Sequence, residues 1–218
     1  MQKNKKIFYA ISSTITAILF GGLALGVKFH LSFVKIIDHY EHHVLTSVLG
    51  RSAAPTINFL SNLGSPVVGI ILITLIALIL CYQKEFLTAF FIETATILGN
   101  VIAELFKIII ARPRPSYRIY PDNSFSFPSG HVFDTTLLVL VVITFLLPKL
   151  RNETYQIICG VLLIIWNGFV IFSRVFLGAH YFTDTLGSIL LAFTLWTLTL
   201  LIRQIYLKRL AREGVTKR

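Results

Sequence analysis

The chain has 218 residues, of which 55% are hydrophobic and only 14% are charged, and its formal net charge is +10. Because a soluble domain carries about 25% charged residues, this chain has too few charges to cover a globular surface, and the bilayer is its expected solvent. The basic residues stand between apolar runs and at both ends, which argues against a nucleic-acid-binding face. Cys81 and Cys159 lie within or beside apolar runs, so we interpret them as packing residues rather than a disulfide framework.

The apolar runs predict an all-α integral membrane protein with six transmembrane helices, built as a single domain over residues 1–218. The predicted spans are 7–27, 67–82, 86–110, 129–147, 155–174 and 180–202. The first run could instead belong to a signal peptide, since Ala24-Leu25-Gly26 loosely resembles a cleavage site. That run is about 20 residues long and exceeds the roughly 7–15 expected of a signal-peptide core, so we predict a membrane helix.

The first long connection, residues 28–62, contains a cluster of histidines and carboxylates. His39 and His43 stand at i and i+4 with Asp38 and Glu41 nearby, so a metal site is one interpretation. We favour short interfacial amphipathic helices here, with apolar side chains toward lipid or protein. The cluster lacks a cysteine, and no second group of ligands stands elsewhere at metal spacing.

Positive residues predict the orientation of the spans. The N-terminus, the turns at 83–85 and 148–153 and the C-terminal tail carry lysines or arginines, and we expect them in the cytoplasm. The loops 28–62, 111–128 and 175–179 then lie together on the outer face of the cell membrane. These outer loops also carry basic residues, although basic residues are usually more frequent on the cytoplasmic side. Their presence outside is explained if several of them bind phosphate.

The stretch between the last two predicted spans combines a cation, an imidazole and a carboxylate. His180 and Asp184 are four residues apart, a spacing that stacks them on one helix face, where the carboxylate can accept the imidazole N–H. The other ring nitrogen is then free to attack a substrate or bind a metal. Arg174 lies at the wrong angle for one continuous helix, and Gly178 offers a break. We therefore predict Arg174 at the end of one helix and His180 at the start of the next.

Two further segments end at the same predicted face, one around Lys107 to Arg114 and one around Ser129 to His131. Together with the hairpin they supply the groups needed for phosphoryl transfer without a metal. Cations hold the non-bridging oxygens, and the amides at the start of the fourth helix can bind an anion. One histidine can attack phosphorus while another protonates the leaving oxygen.

The three segments resemble the signature of the type 2 phosphatidic acid phosphatase superfamily, and the six-span layout resembles its bacterial membrane branch. The family pattern is a lysine, six residues and Arg-Pro, then Pro-Ser-Gly-His, then Ser-Arg, five residues, a histidine, three residues and an aspartate. This sequence matches with Lys107 and Arg114-Pro115, with Pro128-Ser129-Gly130-His131, and with Ser173-Arg174, His180 and Asp184.

The resemblance implies specific roles. His180 would be the nucleophile that forms a phosphohistidine, and Asp184 would orient it and offset its charge. His131 would protonate the leaving group and then activate the water that releases phosphate. The phosphate would be bound by Lys107, Arg114, Ser129, the Gly130 amide and Arg174. The resemblance implies neither a metal nor a cofactor.

Nearby polar residues have two interpretations each. Glu104 could tune Lys107 or simply pair with it. Asp134 could support protonated His131 or make a polar contact between helices.

Three other residues are expected at the edge of the site. We interpret Ser173 as a residue of the helix end or of the supporting shell. We interpret Arg112 and Arg118 as interfacial anchors that hold lipid headgroups rather than as catalytic residues.

The expected function is hydrolysis of a lipid phosphate or pyrophosphate at the outer membrane–water interface, with the lipid tail remaining in the bilayer. The resemblance suggests undecaprenyl pyrophosphate and phosphatidylglycerol phosphate first, then phosphatidic acid and diacylglycerol pyrophosphate, and the residues themselves do not choose among them. A lipid phosphotransferase is one alternative, and a non-catalytic anionic-lipid binder or transporter is another. Neither nucleic acid nor an obligate protein partner is expected.

Overall fold

The computed structural model describes residues 2–39 and 51–214, and the regular secondary structure of these residues is helical. We label its main α-helices in chain order. They are α1 (Gln2–Lys28), α2 (Ala54–Asn62), α3 (Pro66–Tyr82), α4 (Phe86–Ile110), α5 (Gly130–Val141), α6 (Glu153–Phe176) and α7 (Phe182–Arg212). Residues 32–39 form a further helical segment, and α5 continues through a π turn and a 3-10 turn to Lys149.

The prediction of an all-α membrane protein with six spans is confirmed. Six helical stretches of the described chain are long and apolar enough to cross a membrane. They are Asn4–Lys28, Ala54–Tyr82, Phe86–Ile110, Gly130–Lys149, Glu153–Phe176 and Phe182–Arg212. The last helix runs ten residues past the predicted end at 202, because basic residues are good helix formers and favour a helix C-terminus.

Short helices are also found within residues 28–62, as predicted, in the 32–39 segment and in α2, although α2 also forms the first part of the stretch Ala54–Tyr82. Tyr40, Glu41, His42 and His43 of the proposed amphipathic cluster lie outside the described residues.

Helix ends follow local chemistry. Ser65 caps α3 by accepting a hydrogen bond from the Val68 amide, with Pro66 at the first helical position. The α4 helix ends at Ile110, and its C-cap Ala111 has a φ of 52°. The following Arg112 precedes a proline, which disfavours helical backbone. The chain therefore leaves the membrane at the loop that contains Arg114.

Small residues bring the loops that carry the site close to α7. A Cβ added at Gly187 would lie 2.5 Å from the ring of fully buried Phe127. Phe133 of α5 packs in the same way over Gly99 of α4, where a Cβ would come within 2.7 Å of its ring. Close approach of this kind is typical of membrane helix packing, and here it holds the loop after α4 against α7 and the start of α5 against α4.

The two ends of the bundle differ in character. At one end, Lys28 Nζ donates to the Ile109 carbonyl at the end of α4 at 2.7 Å. The loops before α5 and before α7 lie at that same end. At the other end, Lys149 Nζ bonds Glu85 and Gln83 at 2.6 Å each. The predicted site segments therefore converge at one end of the bundle.

Candidate active site

The hairpin between α6 and α7 holds Arg174 and His180 together. The Arg174 carbonyl accepts the amides of Ala179 and His180 at 3.0 and 3.2 Å. Gly178 makes the turn with a φ of +64°, and a Cβ there would lie 2.9 Å from the Arg118 Cα. The predicted break at Gly178 is therefore present, in a backbone conformation that favours glycine.

The prediction that His180 begins the next helix is wrong by two residues, since α7 begins at Phe182. A capping box explains the difference. The Asp184 carboxylate accepts the Tyr181 amide at 2.9 Å, which makes Tyr181 the N-cap and leaves His180 in the turn before it.

The nearest acceptor of the His180 N–H is the Ser126 carbonyl, and the predicted acceptor, the Asp184 carboxylate, is a more distant partner. His180 Nδ1 lies 2.7 Å from the backbone carbonyl of Ser126 and 3.7 Å from Asp184 Oδ2. Because a carbonyl oxygen only accepts, Nδ1 carries the proton and Nε2 keeps its lone pair. Burial lowers the pKa of His180 to about 4, so the imidazole is neutral at pH 7 and Nε2 is able to attack.

The Asp184 carboxylate is satisfied by other donors. Its Oδ2 accepts the Ser126 hydroxyl as well as the Tyr181 amide. Its Oδ1 pairs with Arg112 Nη1 at 2.5 Å. Asp184 thus binds the start of α7 to two positions in the loop after α4.

Arg112 is not the interfacial anchor that we expected. Its side chain is only 11% exposed and lies between Asp184 and Asp38, each at 2.5 Å. Its guanidinium carbon stands 3.9 Å from the centre of the Tyr181 ring. Although burial opposes the charged form, the two carboxylates raise the pKa of Arg112. The other expected anchor, Arg118, is half-buried and donates to the Pro115 carbonyl at 3.3 Å.

Arg114 lies directly against the nucleophilic nitrogen. Its Nη1 is 3.1 Å from His180 Nε2 and donates to the Ala179 carbonyl at 2.7 Å. Its other nitrogens bond Ser124, and Nη2 pairs with Asp122 at 2.8 Å. Burial lowers the pKa of Arg114 without removing its charge at pH 7. A fixed cation therefore stands where a phosphate attacked by Nε2 would place its oxygens.

The start of α5 carries unpartnered polar atoms toward the same region. Ser129 is the N-cap of α5, and its carbonyl accepts the Ser188 hydroxyl of α7 at 2.9 Å. Ser129 Oγ and His131 Nε2 are buried without a hydrogen-bond partner. His131 lies within electrostatic range of Arg174, His180 and Arg114. Buried polar atoms left unpaired are unfavourable, so they are natural partners for the oxygens of a ligand.

Arg174 adds a third unpartnered donor, its buried Nε. Its Nη1 is 3.4 Å from Ser61 Oγ, and the Ser173 hydroxyl donates to the same Ser61 oxygen at 2.8 Å. Ser173 is thus a buried residue of the helix end. A cavity of about 70 Å³ borders Arg174 beside Asp122 and Ala179.

Lys107 and Gly130 lie close to each other, since a Cβ at Gly130 would be 3.9 Å from Lys107 Nζ. Lys107 also pairs with Glu104 at 3.0 Å, one of the two interpretations that the sequence left open for Glu104. Asp134 Oδ1 accepts the Asn100 amide at 2.8 Å, which makes it a polar contact between α5 and α4.

Sequence reasoning missed the contributions of Asp38, Ser61, Asp122 and Ser126 to this site, and it considered Asp38 only as part of a possible metal cluster. Asp122 carried a local signal, because an aspartate two residues before a serine in a loop favours the Asx turn that it forms with Ser124. The other three carried no local signal. Among the described residues, no group of three potential metal ligands is found.

Comparison with known proteins identifies the family of this chain. A family model described as the PAP2 superfamily matches residues 88–207, which include the three signature segments. Phosphatidylglycerophosphatase B of Bacillus subtilis (strain 168) is 33% identical over 105 residues, which are 45% of this chain and 50% of that protein. The matched part therefore spans about half the length of this curated relative.

A solved structure shares the fold. The crystal structure of a transmembrane PAP2 type phosphatidylglycerolphosphate phosphatase from Bacillus subtilis superposes with a TM-score of 0.76 at 23% sequence identity. The alignment covers 86% of this chain and 94% of that one.

Proposed function

This chain belongs to the PAP2 superfamily, and from this membership and the geometry of the site we propose that it is a membrane lipid phosphatase. It hydrolyses a lipid phosphate or pyrophosphate through a phosphohistidine, without a metal or cofactor. One observation carries the proposal. His180 offers a neutral imidazole with its Nε2 lone pair 3.1 Å from the Arg114 guanidinium.

The proposed reaction has two displacements at phosphorus. His180 Nε2 forms a bond to phosphorus while the bond from phosphorus to the leaving oxygen breaks, and His131 gives that oxygen its proton. His131 then takes a proton from water, the hydroxide attacks phosphorus, and the phosphorus–nitrogen bond breaks. Phosphate leaves and His180 returns to its starting form.

The charge on the transferred phosphoryl group is stabilised by fixed donors. Arg114 and Arg174 are held in place by protein contacts before substrate binds. The amide of Gly130 and the hydroxyl of Ser129 stand at the N-terminus of α5, where the helix favours an anion. Lys107 adds a third cation near Gly130. Asp184 positions the loop that carries His180.

Phosphatidylglycerol phosphate is the substrate that we test first, because a relative of this chain carries the name phosphatidylglycerophosphatase B. Undecaprenyl pyrophosphate comes second, since the site binds the phosphate itself. We place the site at the outer face of the cell membrane, with both termini in the cytoplasm. The basic turn with Lys149, at the opposite end of the bundle, supports that orientation. We also propose that residues 1–218 form one domain that needs no obligate protein partner.

The test measures phosphate release by the purified protein in detergent, with EDTA present, from each of the four candidate lipid phosphates. We expect His180→Ala to abolish release and to prevent labelling of the protein from a radioactive phosphoryl donor. The matched control is His30→Asn, because His30 is exposed in the turn after α1 with a φ of 52° and asparagine tolerates that conformation. Release that survives in His180→Ala would overturn the nucleophile assignment, and release abolished by EDTA would overturn the metal-free mechanism.

A further inference from the structure

A buried ion-pair network joins the first long connection to the hairpin that carries His180. Arg112 stands at its centre, between Asp184 of α7 and Asp38 of the 32–39 segment, at 2.5 Å from each. Arg112 is not one of the residues of the signature pattern, and Asp38 lies outside the part of the chain that the family model matches.

Asp38 also binds the first turn of α7 directly. Its Oδ1 accepts the Thr183 amide at 3.1 Å, and its Oδ2 accepts the Thr183 hydroxyl at 3.0 Å. Arg112 Nη1 reaches the same Thr183 hydroxyl at 2.8 Å. Asp38 is 7% exposed and Asp184 is fully buried, so bulk water does not replace these bonds. The network therefore fixes the N-terminus of α7 relative to the loop after α4.

The end of α1 is held at the same place. Lys28 Nζ donates to the carbonyls of Ile109 and Ile110 at 2.7 and 3.4 Å. This contact ties the chain just before the 32–39 segment to the helix end just before Arg112. The chain from the end of α1 to the 32–39 segment is thus anchored at two points, by Lys28 at the end of α4 and by Asp38 at the start of α7.

Two acceptors compete for the Nδ1 proton of His180. The Ser126 carbonyl lies at 2.7 Å and the Asp184 carboxylate at 3.7 Å. Arg112 holds Asp184 through the oxygen that does not face His180 and neutralises its charge. We propose that Arg112, itself held by Asp38, is a positioning residue that holds Asp184 by Oδ1 and balances its charge, and so keeps the neighbouring imidazole uncharged with Nε2 directed at the substrate. This inference rests on the proposed phosphatase function, and it assigns to residues 32–39 a part in building the site.

The electrostatic consequence has a definite sign. His180 faces two more cations, Arg114 and Arg174, and two more titratable groups, His131 and Asp122. All four of these residues are retained when Arg112 is replaced. Loss of the Arg112 charge leaves the Asp184 carboxylate uncompensated beside the imidazole, and an uncompensated anion favours the imidazolium form. The pKa of His180 then rises.

The experiment compares kcat and KM for phosphate release across pH in Arg112→Gln, Arg112→Lys and Asp38→Asn. In Arg112→Gln we expect kcat to fall on the order of 100-fold, the loss that a misplaced reacting group can cause, with KM little changed. We also expect the acid limb of its kcat/KM profile to move up by about one pH unit or more. Arg112→Lys keeps the positive charge, so the acid limb of its kcat/KM profile should lie close to that of the original protein. Asp38→Asn removes an anion from the network, so its acid limb should not move up.

The matched control is Arg118→Gln, which removes the same charge from the same loop without touching Asp184. Its acid limb should coincide with that of the original protein. Protonation of the lipid phosphate itself affects the kcat/KM profile of every variant equally, so a difference between the acid limbs of two variants reports on the protein. A lower plateau with an unmoved acid limb in Arg112→Gln would overturn the proposal, because a purely structural defect lowers the rate at every pH alike.

A second measurement does not depend on activity. Thermal unfolding midpoints in detergent are compared for Asp38→Asn, Arg112→Gln and the double variant. Coupled residues should make the double loss clearly smaller than the sum of the single losses, and additive losses would refute the network. If the protein releases no phosphate from any lipid, the proposed function fails, whereas this cycle still decides whether Asp38 and Arg112 act together.

Discussion

Replacing Arg114 by lysine tests how the site holds phosphate, because the two side chains carry the same charge with different geometry. The Arg114 guanidinium reaches Asp122, Ser124, the Ala179 carbonyl and His180 Nε2 at the same time, with separations between 2.7 and 3.1 Å. A lysine ammonium places all its donors at a single point. It can satisfy the Ala179 carbonyl or Asp122, or it can reach a phosphate beside Nε2, but it cannot do all three.

The expected loss follows from the donor that no longer reaches the substrate. Removing one preorganised donor from a developing charge costs about 2.7–4 kcal/mol, or about 10²- to 10³-fold in kcat. We expect Arg114→Lys to lose activity in that range, measured as phosphate release under saturating lipid in mixed micelles. Asp122→Asn should lose much less, about fivefold or under, because Asp122 is 42% exposed and exposed ion pairs contribute about 1 kcal/mol or less.

Arg118→Lys is the matched control, since Arg118 lies in the same loop and donates to the Pro115 carbonyl rather than toward His180. Its rate should stay within about twofold of the original protein, the scale of a surface change. If Arg114→Lys also stays within about threefold, a point charge suffices at this position, and the role assigned to the guanidinium geometry is wrong.

Three further outcomes follow from the same structure. Gly178→Ala should lower the unfolding midpoint, because φ is +64° and the new Cβ would lie 2.9 Å from the backbone of Arg118; the left-handed backbone alone costs about 1–2 kcal/mol, and an unchanged midpoint would contradict the turn geometry. Gly187→Ala should destabilise by about 1–3 kcal/mol through overpacking against Phe127, as measured by chemical unfolding in micelles, and a neutral effect would mean that this ring is free to move. Burial lowers the pKa of His180 from 6.5 to about 4, so the unfolded chain binds a proton at this imidazole more readily than the folded protein does. The neutral imidazole therefore contributes its full share of stability above about pH 6.5, and that share is lost as pH falls through about 4. The unfolding midpoint should therefore drop across that window less steeply in His180→Asn, and equal slopes would refute a buried neutral imidazole.

Much of the fold was accessible from local pattern. The third predicted span, 86–110, coincides with α4, because apolar run, helix length and the following prolines all agree there. The break at Gly178 was equally readable, since the spacing from Arg174 to His180 excludes a single helix face. The ends of α1 and α7 were harder to predict, because charged residues continue a helix into water without any change of hydropathy.

The catalytic set was also largely accessible, because the three signature segments identify their residues by type and spacing alone. The sequence by itself thus determined that Arg114, His131, Arg174 and His180 were candidates for one site. Hydropathy, helical periodicity and the spacing of a motif are all local properties of the sequence, so they can be read without knowledge of the folded structure.

Which partner each side chain takes was decided only by the tertiary structure. His180 donates to Ser126, which is 54 residues away, although Asp184 is closer in sequence. Arg112 pairs with Asp38 and Asp184, which lie 74 and 72 residues away. Burial among tightly packed helices and loops selects one pairing among several that the sequence permits. Short sequence motifs therefore determine the chemical groups of the site, whereas contacts between distant residues in the folded chain determine its geometry.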